Sequence, residues 1–162
     1  MAKEHGYEVK LTWTGAAQGP VADYAGYSRE YRIEVAGKPP LAGSADPMFK
    51  GDAALHNPED LLVAALSGCH MLTYLALCAR AGIEVVSYED TAGGTMVLEG
   101  GGGHFTEATL RPRVVVAAGS DVDKARALHA NAHADCFIAN SVNFPVRNEP
   151  EVIAAAAAPA PA

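Results

Sequence analysis

From Leu61 to Ala79 the chain runs nineteen residues with no acidic or basic side chain other than His70. A helix over that length is apolar on every side. Such a helix either approaches a bilayer span or sits in a protein core that covers it all round. Glu59 and Asp60 abut one end, and Ser67, Gly68, His70 and Thr73 interrupt the run. The flanking sequence alternates as in a water-soluble protein, so the expectation is a helix buried in protein, with no membrane partner. Burial on every side exceeds what one small sheet offers, which predicts a partner subunit.

The helix has a clear start and stop. Asn57 can accept an orphan backbone N–H, Pro58 fits the first turn, and Glu59 and Asp60 complement the positive helix end. Gly82 supplies the stop after Arg80. Ahead of it, "YEVKLTWTG" and "SREYRIEVAG" alternate as strands, with Tyr31, Ile33 and Val35 on one face, and "PLAGSA" reads as a short edge strand. Behind it, "IEVVSYEDTAGGTMVLEG" and "FTEATLRPRVVVAA" read as two long strands joined by "GGGGH". No Gly-Lys-Ser/Thr follows those glycines, so they read as a hairpin tip rather than a phosphate loop. Ser120 is expected to cap a second helix ending near His133, and "VNFPVRN" to form a last strand. The expected fold is α+β, with mainly antiparallel sheets packed around a long buried central helix and a second helix. Residues 1–150 are expected to form one domain, and the Ala/Pro-rich stretch 151–162 a disordered tail.

Hydrophobic residues make up 49% of the chain and charged residues 19%, with a formal net charge of -7. No run of Lys or Arg supplies the basic face that nucleic acid requires. The N-terminus, "MAKEHGYEVK", lacks the apolar region of a signal peptide. Three cysteines is an odd number in a chain of 162 residues, too large to need disulfide staples. A reducing compartment, the cytoplasm, is the expectation.

The thiols separate by geometry. Nine residues at about 100° each place Cys78 roughly opposite Cys69 on the helix, so those two do not pair. Cys78 reads as a small buried hydrophobe. Cys69 lies on the stripe Leu62, Ala65, Leu66, Cys69, Leu72, Thr73, Ala76, with Ser67 and Gly68 leaving room beside it. Taken alone it also fits a core cysteine. Cys136 sits in "HADCFIANS", just after the second helix. A thiol on a rigid helix and another on a turn suit a nucleophile and its resolving partner. A nucleophilic thiol must be a thiolate, which needs a nearby donor or cation. Cys69 lies too far from the helix N-terminus to draw on the dipole, and Arg29, Arg32 and Lys50 are the candidate cations.

The stretch "NPEDLLVAALSGCHMLTYLALCARAGIEV", followed by "AHADCFIANSVNFPV", resembles the OsmC/Ohr family of thiol-dependent hydroperoxide reductases. The similarity runs from about Glu8 to Pro150. It is closest to the OsmC-like branch, with its "YSR", "SADP" and "CH" motifs. The resemblance implies an intertwined homodimer, a peroxidatic Cys69, a resolving Cys136 that forms a disulfide with it, and an arginine–glutamate pair containing Glu59. Arg29 matches one placement of the arginine in the family. The other placement falls near Lys50, which lacks the planar fork. Ten residues along one helix is about 15 Å of rise, so Glu59 cannot approach its own Cys69 within an unbroken helix. A Glu59 that serves the thiol site comes from the second subunit. The activity implied is reduction of organic hydroperoxides with an external dithiol as reductant and no cofactor. Leu66, Met71, Leu72, Phe137 and Ile138 are the candidate apolar lining.

Three other readings remain open. His129, His133 and Cys136 in "HANAHADC", with Cys69 or His70, approach a Cys/His zinc constellation. His70 is a conceivable general base for Cys69, although helix neighbours point about 100° apart. The chain also fits a redox-inactive relative that binds a small ligand.

Overall fold

A computed structural model describes residues 3–156. They form two compact units that meet in the chain at Leu62 and Val63.

The first unit is built on one antiparallel sheet in the order β1-β2-β3, from β1 (Lys10–Trp13), β2 (Tyr31–Glu34) and β3 (Leu41–Gly43). Alternation along β2 sends Tyr31 and Ile33 to one face and Arg32 and Glu34 to the other. Glu34 meets Lys10 at 3.4 Å and Arg32 at 3.5 Å on that second face. Tyr31 stands opposite Gly43 on the neighbouring strand. A Cβ on Gly43 would run into the Tyr31 ring, so glycine is what lets that ring lie against β3.

The first turn of α1 (Pro58–Ala81) closes this unit. The Asn57 side chain accepts the Asp60 N–H at 2.7 Å, and Asp60 accepts the Asn57 N–H at 3.4 Å. This reciprocal box is the cap that the Asn-Pro-Glu-Asp run predicts. At the far end Gly82 takes φ 71°, the left-handed stop.

The second unit holds the body of α1, six strands and α2 (Val122–Asp135). Each of the two long strands expected here is divided. The first becomes β4 (Val85–Asp90) and β5 (Gly93–Glu99). The second becomes β6 (Gly102–Leu110) and β7 (Pro112–Val116). The halves enter different sheets, β4-β7-β9 and β5-β6-β8. The corner is chemical. Pro112 has no N–H, and the Asp90 carboxylate takes the Arg111 N–H at 2.7 Å and the Ser67 hydroxyl at 2.6 Å. Gly100 and Gly101, at φ 59° and 83°, form the expected hairpin tip between β5 and β6.

Among the described residues four strand pairings are antiparallel. Two are parallel, β6 with β8 (Val146–Asn148) and β7 with β9 (Glu151–Ala154). The strand β9 corrects the expected boundary at residue 150. Val152 is 3% exposed and pairs with Val114, so Glu151–Ala154 belong to the folded core rather than to a tail. Residues 157–162 lie outside the described residues. The cap of α2 is also corrected. It is Asp121, with extended backbone and a side chain accepting the Lys124 N–H at 2.9 Å, rather than Ser120.

One row of α1 is buried, namely Leu66, His70, Tyr74 and Cys78, spaced by four. Tyr74 and Cys78 join Ile83, Val114, Val116, Ala125, Ala132 and Val152 in the main core. Leu66 joins Ala108 and Leu110 in a second cluster. By length and composition α1 is apolar enough to cross a membrane, and 22% of its most apolar window is buried within the chain. The expectation of a helix buried on all sides is therefore met on one row only, and Leu72 stands 65% exposed.

Candidate active site

Cys69 precedes His70 on α1 and so lies at the edge of the buried row, half-buried and free of disulfide. It opens on a cavity of about 860 Å³ along one face of α1, lined by Cys69, Leu72, Thr73, Ala76 and Arg80 and, from beyond α2, by Phe137. Those α1 residues are separated by three or four positions, which keeps them on one face. Arg80 was not anticipated there. Eleven residues at about 100° each return within about 20° of the starting direction, so the placement was available by arithmetic. Of the five apolar side chains expected to line the site, Leu72 and Phe137 do so. Leu66 and Ile138 pack in the second core cluster instead, because the spacing of four draws Leu66 into the buried row.

Cys136 ends α2 as its cap residue and is 1% exposed. The turn that carries it is tied down. The Asn140 N–H donates to the Cys136 carbonyl at 3.0 Å, the Asn140 side chain to the Ala134 carbonyl at 2.8 Å, and the Ala139 N–H to Cys136 Sγ at 3.5 Å. Burial pushes the Cys136 thiol above its ordinary value. The Ala139 N–H opposes that, and the hydrogen bond and charge of the neighbouring Cys69 add to it. Cys69 and Cys136, 67 positions apart in sequence, are thus brought together. Cys78 is fully buried on the core row, and burial raises its thiol too.

His70 turns into the core. Its Nε2 lies 3.0 Å from His129 Nδ1, and His129 stacks on Tyr74 with ring centroids 3.8 Å apart. Burial, then the charge of His133, lowers His70 to about 4, with Asp90 opposing. Burial, then His70, lowers His129 to about 4 as well. Both are neutral at pH 7, and His70 is engaged with His129. A general-base pair with Cys69 is not formed. Among the described residues no three His, Cys, Asp or Glu side chains converge to hold a metal ion, so the alternative Cys/His constellation is not assembled there.

Arg29 and Glu59 belong to the first unit, where they line one cavity of about 330 Å³ together with Trp13, Tyr27 and Tyr31. The Arg29 guanidinium donates to the carbonyls of Tyr24 and Tyr27 and lies 3.7 Å from the Tyr27 ring centroid. One carboxylate oxygen of Glu59 is buried without a hydrogen-bond partner among the described residues. Burial and the Glu59 carboxylate push the Tyr31 phenol up, a neighbour that sequence reasoning did not single out. The other two candidate cations are placed differently. Arg32 pairs with Glu34 on the opposite face of β2, and Lys50 is exposed with left-handed backbone at φ 65°.

Residues 51–151 match the family model described as OsmC-like protein. A structure of an OsmC-like protein of unknown function from Vibrio cholerae is 33% identical, with a TM-score of 0.82 over 93% of this chain and 100% of that one. An organic hydroperoxide resistance protein OsmC from Legionella pneumophila is 18% identical, with a TM-score of 0.67 over 93% and 98% of the two chains. The organic hydroperoxide resistance protein of Bacillus subtilis is 20% identical, with a TM-score of 0.61 over 91% and 98%. The likeness to these last two is one of fold. No curated protein matches the chain. The thiol pair on α1 and after α2, the divided long strands and the matched residues agree: the chain belongs to the OsmC-like family.

Proposed function

We propose that the protein is a cysteine-based peroxidase that reduces organic hydroperoxides to alcohols. The observation that carries this reading is the juxtaposition of two reduced thiols, one opening on a cavity and the other buried beside it. The Cys69 thiolate attacks the distal oxygen of ROOH. The O–O bond breaks, the alkoxide takes a proton and leaves as ROH, and Cys69 becomes a sulfenic acid. The Cys136 thiol then attacks the Cys69 sulfur, water leaves, and a disulfide forms. An external dithiol returns two electrons by exchange and restores both thiols.

Cys136 is suited to the second step. It keeps its proton through burial, so it does not compete for peroxide, and it reaches Cys69 only as a neighbour. Leu72 and Phe137 favour an alkyl group, whose burial contributes about 25 cal/mol per Å². Arg29, with Glu59 as its partner, is the cation that serves the thiolate, delivered to Cys69 by the second subunit of an intertwined homodimer. The exposed apolar face of α1 is the surface that dimer covers. The working compartment is the cytoplasm, where dithiol reductants are available.

The test uses one equivalent of cumene hydroperoxide on the fully reduced protein. Two thiols should disappear and a Cys69–Cys136 disulfide should be recovered by peptide mapping. Cys136→Ser should instead hold a sulfenate on Cys69. Retention of both thiols, or oxidation confined to Cys78, contradicts the reading.

A further inference from the structure

The second unit contains another cavity, of about 340 Å³, which the thiol chemistry does not use. It is lined by Arg126, His129 and His133 of α2 and by Val146, Asn148 and Pro150. Three of these side chains each keep one buried polar atom without a partner among the described residues: His129 Nε2, His133 Nδ1 and Asn148 Oδ1. His129 is 2% exposed, so its unpartnered nitrogen is shielded from bulk water and faces its partners only through the cavity it lines. Orphaned polar atoms gathered on one cavity call for an occupant that satisfies them.

The tautomers indicate what kind. One proton lies between His70 Nε2 and His129 Nδ1, 3.0 Å apart. If it came from His129, His70 would carry its proton on Nδ1, which is also buried and unpartnered. Either arrangement leaves one buried N–H unpartnered in the chain alone, on His70 Nδ1 or on His129 Nε2; of the two histidines His129 lines the cavity, where an occupant can accept that N–H. The favoured arrangement has His70 donating, which leaves the N–H of His129 on Nε2. His129 then presents a donor, and Arg126 adds a cation on the same lining. Arg126 is anchored through Asp123 at 2.6 Å and the Val152 carbonyl at 3.4 Å, with the rest of its fork unengaged among the described residues. The Asn148 amide supplies an N–H in its flipped orientation.

We infer that this cavity binds a small oxyanion, a carboxylate or phosphate group, held by Arg126, His129 and His133. The site is separate from the thiol pair and does not depend on the peroxidase reading.

The experiment is calorimetric titration of the full-length reduced protein with inorganic phosphate and, separately, succinate. One saturable site per chain is expected for at least one of them. Phosphate alone identifies a phosphate-bearing ligand, and succinate alone a carboxylate. Arg126→Gln and His133→Gln, at positions not fully buried, should each weaken that binding by about tenfold or more, while thiol loss to cumene hydroperoxide stays unchanged. Nitrogen NMR of the histidines should find the His129 proton on Nε2. The inference is overturned if neither anion binds, if both variants bind as the parent does, or if the His129 proton sits on Nδ1. Stoichiometric Zn²⁺ binding lost in His133→Gln, without anion binding, also overturns it.

Discussion

His70 Nε2 and His129 Nδ1 stand 3.0 Å apart with ring planes within 9°, a polar bridge between α1 and α2 inside an apolar core. Both imidazoles are lowered to about 4 from the ordinary 6.5. A base whose folded value is depressed binds fewer protons folded than unfolded through that window. Stability is therefore full above pH 6.5 and is lost as pH falls toward 4. Thermal melts should give a level Tm above pH 6.5 and a falling Tm already between pH 6 and 5, before most carboxylates titrate. A Tm unchanged down to pH 5 contradicts it.

The Asp90 corner makes a second prediction. Its carboxylate accepts from Ser67 at 2.6 Å and from Arg111 N–H at 2.7 Å, at the point where β4 ends and the chain changes sheets. Asp90→Ala strands both donors and should lower unfolding stability by about 1–3 kcal/mol. Urea denaturation measures it, and a loss under a few tenths of a kcal/mol would show that water replaces the carboxylate without cost.

How far the sequence carried the structure depended on how local each signal was. Asn57, Pro58 and Gly82 marked α1 because caps and stops act within a turn. The hairpin at Gly100 was visible for the same reason. The sheet change at Asp90 and Pro112 was not, because an alternating pattern continues through a bend while the faces it serves are exchanged. Strand β9 was hidden in an alanine-rich stretch whose burial depends on a parallel partner, Val114, 38 positions away. Placement on a rigid helix and on a turn suggested Cys69 and Cys136 as partners, but their disulfide rested on family resemblance, since no periodicity links a helix to a distant cap. The sequence grouped His70 with His129 only as conceivable metal ligands, and nothing in it pointed to a direct contact between the two rings. Arg80, eleven positions on from Cys69, was legible by helix arithmetic.

Arg29 provides a test of the thiolate's cation. Its guanidinium is held in place by two carbonyls and the Tyr27 ring in the cavity that also contains Glu59. Arg29→Gln should slow peroxide consumption about tenfold or more, the worth of a charged hydrogen bond. Arg29→Lys should recover part of that, since it restores charge without the fork. Stopped-flow thiol loss reads both, and unaltered rates in both variants would remove Arg29 from the site.

The open face of α1 predicts the assembly. Leu72 is 65% exposed in one chain, and a helix this apolar is expected to be covered. Sedimentation should find a dimer at micromolar concentration, and Leu72→Asp should shift it toward monomer, because a desolvated carboxylate costs several kcal/mol at such an interface. A monomeric parent protein would argue against the second subunit as the source of Glu59.

The most direct measurement is the first-turnover rate of each single thiol with an alkyl hydroperoxide. Cys136→Ser should react as fast as the parent protein in forming a sulfenate, while Cys69→Ser should react no faster than a free thiol in solution. If Cys69→Ser keeps the parent rate, the reactive sulfur is elsewhere and the proposed chemistry at α1 is wrong.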